Sequence, residues 1–211
     1  MTIKMTIAKA LALALAFSAT GCGEYVESGR SPVRVIISTL EGASGADPEE
    51  FGNTLSSDVV TLRTTPEPCS ATSPCPTIFG DNGRVTMRLV LRDQGVPGLA
   101  ATPSNLNQVT FTRYRVTYAR TDGRNTQGVD VPYGFDSAVT FTVPADGEIT
   151  AGFNLVRVAA KEDTPLRALA TSPNFIATIA TVTFYGRDLA GNDVIASGNL
   201  GVTFGNFGDP Q

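Results

Sequence analysis

The chain has 211 residues, no His, no Trp, three Cys and a formal net charge of −4. Without His it can hold neither a Ser-His-Asp or Cys-His nucleophile system nor a His-ligated zinc site. Its acidic balance, 16 Lys+Arg against 20 Asp+Glu, argues against nucleic acid as a partner and against electrostatic attachment to anionic lipid.

The N-terminus reads in three pieces. Lys4 and Lys9 flank a short positive region, Ala8 to Phe17 is almost entirely Ala and Leu, and Ser18-Ala19-Thr20-Gly21 supplies the small residues a signal peptidase needs. The apolar run is well short of the roughly 20 residues that cross a bilayer as a helix. It is also apolar all round, which does not suit a core helix with one apolar stripe. Ala19-Thr20-Gly21-Cys22 resembles the bacterial lipobox, with Ala19 where Leu is usual. That resemblance implies a signal peptide over 1–21, a diacylglycerol on Cys22 and a mature chain that begins there. Several acyl chains hold a membrane firmly where one binds only reversibly. Removing Lys4 and Lys9 leaves Lys161 as the sole lysine and makes the mature chain more acidic than −4. Gly23 follows the cysteine, and by analogy with enteric sorting this implies the outer membrane of a bacterial cell envelope.

Residues 22–32 are small and polar and end in Pro32, the pattern of a flexible tether. Residues 33–207, about 175 in all, are enough for a single domain with a sizeable core. Alternation starts at once with Val33, Val35 and Ile37 on one face of a strand. Assigning Cys22 to lipid leaves Cys69 and Cys75, in TPEPCSATSPCPTIF, as an even pair in an exported chain, where a disulfide forms and persists. Two thiolates with no His are too few ligands for a structural zinc.

The clearest strand is RVTMRLVLRD, with Val85, Met87, Leu89 and Leu91 on one side and Arg84, Thr86, Arg88 and Arg92 on the other. In VTFTRYRVTYAR the apolar phase flips between Val109/Phe111 and Tyr114/Val116/Tyr118, which predicts a β-bulge at Thr112-Arg113. Ala138 to Val143 alternates again. FNLVRVAA flips from Phe153/Leu155 to Val156/Val158, and Glu162 to Leu169, with Pro165 near its start, predicts a short helix. The C-terminal part predicts a hairpin: Val182 and Phe184, a turn over Asp188-Leu189-Ala190-Gly191-Asn192, then Leu200, Val202 and Phe204. This is an all-β, antiparallel sandwich pattern of about eight or nine strands with at most one short helix. TVTFYGRDLAGNDV resembles the penultimate strand and turn of bacterial immunoglobulin-like domains, which implies an immunoglobulin-like β-sandwich. The core Trp and inter-sheet Cys pair of antibody-type domains are missing.

Little in the chain points to catalysis. A Ser-Lys dyad would have to use Lys161, which we expect to be solvated beside Glu162-Asp163. Glu49-Glu50, Asp146, Glu148, Asp188 and Asp193 fall in loops and turns, where carboxylates are favoured for backbone reasons. Asp188, Asn192 and Asp193 are weak calcium candidates, having suitable atoms but no recognised loop signature. Arg84, Arg88 and Arg92, with Arg113 and Arg115, are the ligand-facing candidates: a basic stripe suits an anionic glycan or headgroup. No cofactor is expected. The sequence therefore implies a non-enzymatic, lipid-anchored envelope protein, either a binding or adhesion module or an accessory subunit of an envelope complex.

Overall fold

The computed structural model describes residues 30–93, 95–96 and 99–207. The expected signal segment, Cys22 and most of the expected tether lie outside the described residues.

The fold is mostly β-strand. Strands β1 (Val33–Ala43), β5 (Asp81–Leu91) and β10 (Glu148–Val156) form a three-stranded sheet in the order β1-β5-β10. Strands β2 (Thr54–Asp58), β8 (Val109–Ala119), β9 (Phe135–Val143), β11 (Phe175–Asp188) and β12 (Asp193–Gly205) form a second sheet in the order β2-β12-β11-β8-β9. Two short ribbons pair β3 (Thr61–Arg63) with β4 (Cys75–Thr77), and β6 (Gly95–Val96) with β7 (Leu99–Ala100). The ribbons carry the strand number beyond the expected eight or nine. One pairing also departs from the expected antiparallel order, because β2 runs parallel to β12.

Alternation built these strands. On β5 it buries Val85, Met87 and Leu89, and on β11 it buries Ala180, Val182 and Phe184. The two sheets share one apolar core. Phe153 of β10 lies 5.3 Å from the ring of Tyr114 on β8 and 5.4 Å from Phe184 on β11. Phe184 also meets Phe111 and Phe141 edge-on, the arrangement favoured by the ring quadrupole. Phe153 covers Gly83, its partner in the ladder, so one aromatic side chain fills the space a second would need.

Both phase flips are bulges. On β8, Phe111 pairs with Gly186 and Arg113 with Tyr185, leaving Thr112 as the extra residue. Phe111 and Tyr114 are consequently both buried. On β10, Asn154 pairs with Asn82 and Val156 with Asp81, so Leu155 and Val156 are both buried. The Tyr114 hydroxyl accepts the Asn154 N–H and donates to the Asn154 carbonyl, at 3.1 Å each. Beyond this point the strand expectation fails. The chain turns into helix α1 (Val158–Lys161), and Val158 is 40% exposed instead of sharing the core face with Val156. The predicted helix over 162–169 is a 3-10 turn at Leu166–Thr171, capped by Pro165, which buries Leu166 and Leu169. A second 3-10 turn spans Asn105–Asn107. Among the described residues, no helix is long and apolar enough to cross a membrane.

Candidate functional site

Cys69 and Cys75 form a disulfide with an Sγ–Sγ distance of 2.01 Å. It closes the loop between β3 and β4, and Cys75 itself pairs with Arg63 in that ribbon. Its reach is local, to a Pro- and Ser-rich surface segment.

The candidate arginines do not form one stripe, because Arg84 and Arg88 lie on β5 and Arg113 and Arg115 on β8, in different sheets. Each is engaged. Arg84 pairs with Glu41 at 2.8 Å and stacks on Phe51. Arg88 stands 3.9 Å from Glu148, and Arg92 donates to the Ser31 carbonyl at 3.0 Å. Arg113 and Arg115 share Asp136, at 2.9 and 2.8 Å. The hydrogen bond from Arg115, with the charges of both arginines, holds the Asp136 carboxyl below its usual range. The pairs made by Arg88, Arg113 and Arg115 are exposed and screened by solvent.

Arg113 contributes to a different feature. On the outer face of the five-stranded sheet, where Thr112 interrupts β8, a groove of about 590 Å³ opens beside the β11–β12 turn. Thr110, Thr112, Arg113, Tyr185, Leu189 and Ile195 line it. The Arg113 guanidinium lies 4.0 Å from the Tyr185 ring centre, and Leu189 and Ile195 are each 62% exposed. The groove therefore presents a cation stacked on an aromatic ring beside two solvated aliphatic side chains. The groove lies where the bulge interrupts the regular pairing of β8 with β11.

The calcium candidates are spent on the turn. Asp188 Oδ1 accepts the N–H groups of Ala190 and Asn192, and Oδ2 accepts the Asn192 side-chain amide. Desolvation raises the Asp188 carboxyl, but the hydrogen bonds from Asn192, Ser31 and Ala190 outweigh it and bring the net shift downward. Asp193 pairs with Arg187 at 2.8 Å. Gly191, at φ +87°, supplies the left-handed step of the reversal. Among the described residues, no group of three or more His, Cys, Asp or Glu could hold a metal ion. Glu49, Glu50 and Asp146 are exposed loop residues, and Glu148 accepts the Ser38 hydroxyl at 2.6 Å.

Lys161 overturns the sequence reading. It is not solvated beside Glu162-Asp163 but 1% exposed, with Nζ 2.9 Å from Asp81 Oδ1 and 2.7 Å from the Asp58 carbonyl. Asp81, at the start of β5, is 0% exposed. The Ser57 hydroxyl of β2 donates to its Oδ2 at 2.5 Å, and the Gly45 N–H donates to Oδ1 at 2.9 Å. Helix α1, which follows β10 after Arg157, carries the lysine as its last residue. The one available signal was compositional: every other cation after Lys9 is arginine. Ser57 and Lys161 thus share a carboxylate in a site closed to solvent.

Compared with family models, with curated proteins and with solved structures, the chain matches none.

Proposed function

We propose that the chain is a bacterial envelope lipoprotein, held in the outer membrane by acyl chains on Cys22, whose residues 33–207 form one non-enzymatic binding or adhesion module with an immunoglobulin-like β-sandwich fold. The packing of Phe153 against Tyr114 and Phe184 across two sheets, with the Asp188–Asn192 turn, supports the sandwich reading. The observation that carries the binding reading is the groove beside the β8 bulge, where Arg113 stacked on Tyr185 lies next to exposed Leu189 and Ile195. An aromatic platform with a neighbouring guanidinium is suited to a sugar ring bearing an acidic group. Against catalysis stand the lack of His and the closure of the Ser57–Asp81–Lys161 site to any substrate.

Cys22→Ala should leave a folded domain and release it from the membrane fraction. A variant that still sediments with membranes after a salt wash would end the anchoring reading. Glycan-array binding by the mature protein that is lost in Tyr185→Ala would support the groove, and binding unaffected by that change would refute it. The second reading, an accessory subunit, draws on β9, which lies at the edge of its sheet with β8 on one side only. A strand edge is a template for a partner strand. Co-purification of an envelope protein, lost when Thr140 at that edge is replaced by Pro, distinguishes it.

A further inference from the structure

We propose that Lys161 and Asp81 are joined by a side-chain amide, which the folded protein forms unaided. Four observations place the reacting groups. The lysine Nζ lies 2.9 Å from Asp81 Oδ1 and is steered there by the Asp58 carbonyl. The Gly45 N–H points at Oδ1 and the Ser57 hydroxyl at Oδ2, so the two carboxyl oxygens have different partners. Ser57, Asp81 and Lys161 are 0%, 0% and 1% exposed. Finally, among the described residues, no buried side-chain polar atom lacks a hydrogen-bond partner, so the cluster is pre-organised.

The electrostatics favour conversion. Each ion of a buried pair carries a desolvation penalty of several kcal/mol, which only mutual attraction and good hydrogen bonding offset. Burial pushes the Asp81 carboxyl up despite the opposing charge of Lys161. Passing a proton from the ammonium to Oδ1, along their 2.9 Å hydrogen bond, gives a neutral amine beside a neutral acid, the form a dry site prefers. Groups held in contact react as if at an effective concentration of about 10⁵–10⁸ M.

The step balances without any co-reactant. The amine lone pair forms a bond to Asp81 Cγ, and the carbonyl electron pair moves onto Oδ2, where the Ser57 hydroxyl receives it. The Cγ–Oδ1 bond then breaks. Oδ1 departs as water, taking the second amine proton directly from the nitrogen now bonded to the same carbon. An ammonium and a carboxylate have become one amide and one water. The link ties the first residue of β5 to the end of α1, across a separation of 80 residues.

Tryptic digestion of the purified, reduced and alkylated protein tests this. The expected product is a branched species joining residues 64–84 to 158–167, lighter by one water than the two linear peptides together and uncleaved after Lys161. Linear 64–84 together with cleavage after Lys161, in protein that was folded before digestion, overturns the proposal. Lys161→Met should restore linear 64–84. Ser57→Ala should slow linkage by about 10²-fold or more, the usual cost of removing one donor from a developing oxyanion. Complete linkage in freshly made Ser57→Ala would remove the hydroxyl from the step.

Discussion

Gly186 is a position where one added methyl group should be poorly tolerated. It lies in β11 opposite Phe111, where the β8 ladder resumes after the bulge. A Cβ on Gly186 would collide with the Thr110 carbonyl oxygen and sit 2.9 Å from both Cα and Cδ1 of Phe111. Two of these three atoms are backbone. Phe111 itself is 0% exposed and held by Phe141 and Phe184, with ring centres at 5.3 and 6.1 Å. Overpacking a filled core costs about 1–3 kcal/mol, and an immobile backbone contact puts this case near the upper end. Replacing a strand glycine by alanine in open space would instead stabilise by about 0.5–1 kcal/mol. The net expectation for Gly186→Ala is a loss of about 2 kcal/mol, which lowers the Tm by roughly 4–8 °C for a domain of this size. Gly201→Ala is the control, since its Cβ would meet only Thr54 Cγ2 at an ordinary 3.5 Å. Its Tm should stay level or rise by about 2–4 °C. Thermal unfolding followed by circular dichroism, with urea midpoints as a check, measures both. Equal melting temperatures for Gly186→Ala and wild type would refute the reasoning, because the sign of the change depends on the close approach.

Three further outcomes are expected. Reducing the Cys69–Cys75 bond should speed amide exchange in residues 61–77 while leaving β11 protected, and the chain-entropy model puts the local loss at roughly 2–2.5 kcal/mol. Two alkylated thiols in the folded, unreduced protein would contradict the bond. Tyr114→Phe leaves the Asn154 N–H and carbonyl without their shared partner at the β10 bulge and should cost about 1–3 kcal/mol in urea unfolding. A free-energy change below about 0.5 kcal/mol would mean that another group satisfies that backbone. Asp188 has a depressed carboxyl, so its contribution is complete above the unfolded value near about 4 and is lost as pH falls through the lower folded value. Melts between pH 6 and 2.5 should therefore show an acid-side loss that is smaller in Asp188→Asn, and identical pH profiles would count against it.

The strands were legible wherever burial on one face imposed strict alternation, as in Val85-Met87-Leu89. The bulges were legible because each shifts that phase by one residue. Partnership between distant segments was not. Nothing local to Thr54–Asp58 says that it pairs with residues 201–205, or that the pairing is parallel. Arg84 and Arg113 look alike in sequence, yet they face solvent from different sheets, each beside its own acid. The groove has the same origin: Arg113, Tyr185 and Ile195 meet only through the register of three strands. Lys161 was misread because its sequence neighbours Glu162 and Asp163 offered a ready pairing, while the carboxylate it reaches lies 80 positions earlier.

The parallel contact between β2 and β12 bears on how the molecule comes into being. Strand β12 is the last element of its sheet to be synthesised and lies inside it, between β2 and β11. Until residue 205 has emerged, β2 has no neighbour in that sheet and the outer side of β11 stands open. A nascent chain can therefore complete the β11–β8–β9 side but cannot close the structure, and its slowest search spans the interval from Thr54 to Gly201. Contacts this remote in sequence fold slowly and leave strand edges exposed meanwhile. That sheet keeps an open edge until its final strand is in place.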